Sequence, residues 1–390
     1  MTSLLVIIVL VLLSVAIWQM TKIFDLTQVG SKRNHSQVAN DNDNNIQGYL
    51  MFGFLAFLYI FTIYGLFKWS HLVLSNPASE HGADYDNLMW ITFAVIFFVQ
   101  AITQALLHYF AFQYRGKKDQ KALYYADNDK LEFIWTIIPV IVLAGLILYG
   151  LYTWTNIMFV DEDEDVMVVE LYAKQFSWEA RYSGKDNVLG KANVRLIEGV
   201  NTMGVDLADP NAQDDISTTE LHIPKGKKIL FKLRSQDVLH SAFMPHFRAQ
   251  MNCVPGMVTQ FAFRPIKTTD EMRADDEMIE KVNNINKIRA KKSAELVAKG
   301  ESPLDPYTFD YLLLCNKICG ASHYNMQMKI VVDTPQDFQS WLKDKITIVK
   351  AANDEKAAKA AEKAPVVAPT ATPKTDSTAV VATTVTEVAK

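Results

Sequence analysis

Four long apolar runs fill the first part of the chain and fix most of what it can become: Leu4–Ile23, Tyr49–Phe67, Leu88–Gln113 and Phe133–Met158. Each is near the roughly 20 residues that an α-helix needs to cross a bilayer. Any one of them could be a buried core helix, but four in succession, joined by polar loops, predict membrane spans. The basic residues set the orientation, because cytoplasmic loops collect Lys and Arg. Lys22, Lys32 and Arg33 follow the first run, and Arg115, Lys117, Lys118 and Lys121 separate the third from the fourth. The loop Lys68–Asn87 carries Glu80, Asp84 and Asp86 instead. Both basic loops therefore belong in the cytoplasm, which places the N-terminus and everything after Met158 outside. The first run lacks the basic n-region and small-residue cleavage site of a signal peptide, which favours a retained span.

Beyond the acidic run Asp161–Asp165 the pattern changes to strands. Val166–Tyr172, Lys228–Arg234, Met257–Phe263, Tyr307–Leu314 and Met328–Asp333 are short, rich in β-branched or aromatic residues and bounded by turn residues, which predicts an all-β sandwich or barrel. Asn187–Thr219 is rich in Asn, Asp, Gly and Pro and reads as a long surface loop. Between two strands, from about Thr268 to Lys299, Met278, Val282, Ile285 and Leu296 recur at helical spacing among many charges. This is a charged helix or helical hairpin, either a solvated excursion or a surface for a partner. Pro335–Ile346 is expected to be a short amphipathic capping helix. From about Lys350 the chain has no aromatics and too little apolar surface to bury, so it reads as disordered. The expected units are residues 1–46 (a span and basic loop), 47–86 (a second span and outer loop), 87–160 (a transmembrane hairpin), 161–348 (the β domain, with its insertion at about 268–300) and 349–390 (a disordered tail).

The chemistry is concentrated in twelve residues. Cys315, Cys319, His323 and Met326 lie in the run CNKICGASHYNM. Two thiolates, an imidazole and a thioether form a soft donor set, which selects copper over magnesium or calcium. Zinc would explain the cysteines and the histidine but has no ordinary use for the thioether. Two thiolates this close can bridge two coppers; the bland alternative is two buried free cysteines beside an unrelated His and Met. A further ligand candidate is His240, directly after the strand-like run Lys228–Arg234. Of the three cysteines only Cys253 remains, so no disulfide framework is implied, and it reads as a small buried side chain. No CxxCH occurs, which excludes a c-type haem attached here. A net charge of −4 with no basic stripe argues against nucleic acid.

At these residues a resemblance becomes specific. The order Cys, His, Met near a strand end is how cupredoxins present copper, and DVLHS followed by CxxxCGxxHxxM resembles the copper-A domain of subunit II of the haem–copper oxidases. The resemblance implies a cupredoxin-like sandwich with two copper ions held by His240, Cys315, Cys319, His323, Met326 and the backbone carbonyl of Lys317. It implies that electrons arrive from a c-type cytochrome outside and pass to haem in subunit I, where O2 is reduced with proton pumping. The expected setting is a multi-pass protein of the bacterial inner membrane, with its copper domain on the periplasmic side. LEFIWTIIPVIVL (Leu131–Leu143) resembles the start of the second helix of the family hairpin, where Glu132 matches a glutamate at the cytoplasmic mouth of a proton-uptake channel. An interfacial carboxylate beside an aromatic anchor is the plainer reading of that residue. AKQFSWEARY (Ala173–Tyr182) resembles the aromatic segment that receives electrons, through Phe176 or Trp178, though both could be core residues.

The chain departs from the family pattern in three places. Phe176 replaces the leading tryptophan of the aromatic segment. Lys317 stands where a glutamate usually helps bind magnesium at the subunit I interface, so copper binding survives and the magnesium site is in doubt. The first two spans and the charged insertion lie outside the resemblance, which covers about Leu88–Ile346. Alternatives remain: a quinol-oxidase subunit would lack the copper ligands, nitrous oxide reductase would carry a large propeller, and a membrane-anchored copper-binding or assembly protein would have no electron-transfer role. A basic cytochrome docking on Asp161–Asp165 and the acidic loop is a further expectation. His222 and His246 read as structural. His108, within a span, is either functional or interfacial.

Overall fold

The structure, a computed structural model, describes residues 2–28, 41–73, 76–160 and 165–363. The four predicted spans are helices: α1 (Thr2–Gln28), α2 (Asp41–Trp69), α3 (Gly82–Gln113) and α4 (Asp129–Met158). All four are long and apolar enough to cross a membrane, and almost all their large side chains face outward. In water that surface would be untenable, so a bilayer is its natural solvent. Pro139 lies inside α4 without ending it, as spans tolerate. Lys32, Arg33 and Asp161–Glu164 lie outside the described residues.

Helices α2 and α3 pack through aromatic rings. Phe112 meets Tyr49 and Phe52, each at 5.1 Å between ring centroids. A Cβ on Gly48 would come 2.6 Å from the Phe112 ring, so glycine is what permits this approach. His108 is buried at the same interface, with Nδ1 2.8 Å from the Gln104 carbonyl. A polar ring inside a span is thus satisfied by its own helix.

Ten strands follow: β1 (Val166–Lys174), β2 (Ser177–Tyr182), β3 (Ile216–Thr218), β4 (Leu221–Pro224), β5 (Lys228–Ser235), β6 (His240–Met244), β7 (Ala249–Cys253), β8 (Thr259–Phe263), β9 (Tyr311–Cys315) and β10 (Gln327–Asp333). They form two five-stranded sheets, β3-β2-β1-β5-β8 and β4-β10-β9-β6-β7, with β1 and β5 parallel in the first and β4 and β10 parallel in the second. Alternating residues such as Ile229, Phe231 and Leu233 of β5, and Ile330 and Val332 of β10, fill one shared core. This is the cupredoxin-like sandwich that the sequence implied. The insertion is a short helix, α5 (Thr269–Arg273), and a long one, α6 (Asp276–Val297). The chain returns alongside α6, where the Asn286 side chain pairs with both backbone groups of Tyr307. Helix α7 (Pro335–Lys343) caps the sandwich, with Trp341 stacked on His222 at 4.2 Å.

Two expectations are corrected. The segment after residue 348 is not disordered at its start: α8 (Ile348–Lys363) is a helix whose Ile348 and Ala352 are buried. The loop Asn187–Thr219 is likewise not merely a surface excursion. Its Met203, Val205 and Ala212 pack with Ile348 on Tyr172, on the outer face of β1. Loop and helix together cover that face, so β1 is buried on both sides, and its polar outward residues need internal partners. Glu170 finds Arg234 and Arg181, the latter at 2.6 Å, and Arg181 also reaches Asp215 at 3.0 Å.

The acidic outer loop has a structural use as well. Asp86 accepts two hydrogen bonds from Arg248, both 2.8 Å, Glu80 pairs with Arg264 at 3.0 Å, and the Ala78 amide donates to the His246 carbonyl. These contacts hold the sandwich against the membrane helices; Asp86 is largely covered by Arg248, while the Glu80 side chain stays exposed beside Arg264. Asp165, the described end of the acidic run, pairs with Lys227.

Burial pushes the Asp215 carboxyl up to about 6, although Arg181 and the Gly190 amide pull the other way. An unfolded aspartate titrates near 3.9, so the folded chain takes up this proton first. Its stabilising effect is complete below about pH 4 and is lost as pH rises towards about 6. Asp215→Asn should remove this component. The difference in urea midpoint between wild type and variant should change across that window, and parallel profiles would refute the assignment.

Candidate metal centre

Strands β9 and β10 form an antiparallel hairpin with Leu314 opposite Gln327, and the loop between them is CNKICGASHYNM. Cys315 ends β9, and its amide donates to the Met326 carbonyl at 3.1 Å, which closes the loop at its base. Neighbouring β6 pairs Ala242 with Cys315, so His240, two residues earlier on the same face, arrives beside the loop. The Asn316 amide donates to the Ser241 carbonyl at 3.0 Å and fixes the two segments together.

The result is a continuous line of donors. His240 Nδ1 lies 3.7 Å from Cys315 Sγ, and Cys315 Sγ lies 3.9 Å from Cys319 Sγ. Cys319 Sγ is 3.6 Å from His323 Nδ1 and 3.7 Å from Met326 Sδ. The Lys317 carbonyl is 3.3 Å from Cys315 Sγ, while the Lys317 side chain is exposed. Two sulfur or nitrogen donors about 2.0–2.3 Å from one tetrahedral ion stand about 3.5–3.8 Å apart, so these separations suit shared metal ligation. The sulfurs are free thiols, too far apart for a disulfide. Burial and the neighbouring Cys315 push the Cys319 thiol up to about 11, so a bound cation is what would hold that sulfur as a thiolate. His240 is fully buried and Met326 nearly so, which keeps water from most of the donors.

Several residues around the donors were not legible in the sequence. Asp237 Oδ1 accepts from His240 Nε2 at 2.8 Å, which turns Nδ1 towards Cys315. Burial opposes ionisation of Asp237, but hydrogen bonds from the Gln175 amide, His240 and the Val238 amide outweigh it and hold the carboxyl below its usual range. Ile318 and Tyr324 project from the loop, 89 % and 88 % exposed, and give the site an apolar rim. Trp178 is buried with its ring 6.2 Å from His240, whereas Phe176 is half-buried and packs against the loop at Gly320. Glu132 sits apart from these, exposed in the first turn of α4 behind the Asn128 cap. Cys253, opposite His240 on β7, is buried, and burial pushes its thiol up to about 12. His246 packs between Phe309 and Tyr311, where burial lowers it to about 4.

Comparison with known proteins decides the family. The chain is 33 % identical over 274 residues to the alternative cytochrome c oxidase subunit 2 of Bradyrhizobium diazoefficiens, covering 70 % of this chain and 84 % of that protein. The chain belongs to the cytochrome c oxidase subunit II family. A second relative, cytochrome c oxidase subunit 2 of Thermostichus vulcanus, is 22 % identical, with 72 % of this chain and 81 % of that one aligned. The family profile for the subunit II transmembrane domain matches residues 67–153, which spans α3 and most of α4 and leaves α1 and nearly all of α2 outside. Among solved structures, the periplasmic domain of subunit II from Bradyrhizobium japonicum matches 46 % of this chain and 93 % of its own, at 19 % identity and a TM-score of 0.27. A haem–copper terminal oxidase dimer matches 53 % of this chain at 15 % identity and a TM-score of 0.27. This subunit II chain is therefore a membrane-bound part of an oxidoreductase complex with other oxidase subunits.

Proposed function

We propose that the chain is the electron-accepting subunit of a respiratory terminal oxidase, with two copper ions held by His240, Cys315, Cys319, His323, Met326 and the Lys317 carbonyl. The observation that carries this is the donor line itself: two thiols in the middle, one histidine Nδ1 beside each, and a thioether at one end. When bound, a copper pair of this kind supplies a one-electron couple shared over both ions. The protein's part is to hold the donors still. Asp237 fixes the ring of His240, the Cys315–Met326 hydrogen bond closes the loop, and the Asn316–Ser241 bond seats it on β6. A cage that barely moves on reduction keeps the reorganisation cost of electron transfer low.

In this reading a c-type cytochrome docks over the rim at Ile318 and Tyr324, and electrons pass inward beside Phe176 and Trp178. They continue to haem in subunit I, where O2 is reduced with proton pumping, and Glu132 collects protons on the cytoplasmic side. The membrane is the bacterial inner membrane, with the sandwich on the periplasmic face, as the basic loop 115–121 supports. Magnesium is not part of the proposal, because an ammonium group at position 317 offers it no oxygen ligand. An assembly role without electron transfer fits less well with kinship to oxidase subunits.

Metal analysis of the full chain in detergent tests the reading. Two coppers per chain and a paramagnetic signal from one electron shared over both are expected. Bound zinc, or the signal of a single isolated copper, would overturn it.

A further inference from the structure

Gln175 occupies the turn between β1 and β2 and touches both segments that carry donors. Its backbone N–H donates to Asp237 Oδ2 at 2.7 Å, and Oδ1 of the same carboxylate holds His240 Nε2 at 2.8 Å. Its side-chain amide Nε2 donates to the carbonyl of Cys319. The next residue, Phe176, seats the same loop. A Cβ on Gly320, whose φ is 141°, would come 2.8 Å from Phe176 Cζ and 2.9 Å from Gln175 Nε2. The loop therefore rests directly on this turn at the peptide that follows Cys319.

We propose that Gln175 is a positioning residue of the metal centre, coupling the carboxylate that orients His240 to the peptide that aims Cys319. This rests on the two-copper reading above. The physical reason is that β6 and the β9–β10 loop are separate in sequence, and each could shift against the other. Donor groups must be held to about 0.5 Å for a metal site to work. One residue bonded to both sides, through its backbone to one and its side chain to the other, removes that freedom. Gln175 itself is exposed, so the interior does not require an amide there for packing.

Substitution separates the two arms, because the backbone donor to Asp237 survives any side chain while the donor to Cys319 does not. Gln175→Met keeps the length and loses the donor; Gln175→Ala loses both. In the copper-loaded full chain, both variants should lose copper to a competing chelator about 10–100-fold more readily than wild type, the range for residues that orient metal ligands. The hyperfine pattern of the paired-copper signal should shift in both, with an unchanged melting temperature of the metal-free protein. If Gln175→Met behaves as wild type, the residue acts through bulk and the proposal fails. It fails equally if neither variant changes retention or spectrum. A wild-type chain that takes up no copper pair would instead overturn the two-copper reading beneath it, so the two failures are distinct.

Discussion

Cys319→Ser is expected to leave the chain folded and in the membrane but without the shared-electron copper signal. Cys319 lies at the centre of the donor line, within 3.9 Å of Cys315 Sγ, 3.6 Å of His323 Nδ1 and 3.7 Å of Met326 Sδ. Removing it strips both His323 and Met326 of their sulfur neighbour, while His240, Cys315 and the Lys317 carbonyl remain together. One copper at most should then bind, with an isolated-ion spectrum. The loss of affinity should exceed the roughly 10–100-fold that follows from disturbing a residue outside the ligands, because a ligand itself is gone. Serine is nearly the same size, so the metal-free sandwich should unfold at a urea concentration close to that of the metal-free wild type. Chelator competition and paramagnetic resonance on the purified chain read both quantities. An unaltered spectrum in the variant would mean that Cys319 is not a ligand.

The second large effect concerns stability. Arg181 is 2 % exposed and donates to Glu170 at 2.6 Å, to Asp215 at 3.0 Å and to the Gly190 carbonyl at 2.9 Å. Arg181→Met removes the cation that pairs with Asp215, whose side chain is fully buried. Glu170 keeps Arg234, but Asp215 keeps only the Gly190 amide. Breaking a buried pair from one side typically costs about 3–5 kcal/mol. That is a large part of the roughly 5–15 kcal/mol that holds a domain together. Arg181→Met combined with Asp215→Asn should cost less than Arg181→Met alone, because no unpaired carboxylate is then left inside. Urea midpoints of wild type, the two single variants and the double variant test this. Additive losses would mean the pair is not coupled as the geometry indicates.

The sequence was readable where the physics is local. Twenty-residue apolar runs announce α1 to α4 without reference to anything else, since a bilayer asks only for length and hydropathy. The donors Cys315, Cys319, His323 and Met326 are close in sequence, so their spacing and softness suffice to suggest the metal. Strands with one buried face, such as β5 and β10, show the alternation that marks them. β2 shows it as well, with Trp178, Ala180 and Tyr182 alternating with Ser177, Glu179 and Arg181, but the segment reads first through its aromatic rings. β6 and β7 were missed for a different reason: each has only five residues, and a short turn joins them. Helix α8 is hard to see because it has no aromatic residue and its apolar residues are mostly alanine. Two of them, Ile348 and Ala352, are enough once a surface exists to receive them.

By itself, then, the sequence determined that this is a membrane-anchored β-domain protein with a loop of soft donors, because hydropathy and ligand chemistry belong to short stretches of chain. Tertiary structure alone decided how the parts meet. It set His240 beside Cys315 through the pairing of β6 with β9, gave His240 its orientation through Asp237, and turned Asp86 to Arg248. It also placed Gln175 across both ligand segments. Each of these joins residues whose partners are chosen by strand register and side-chain direction, and those are fixed only when the whole sandwich closes.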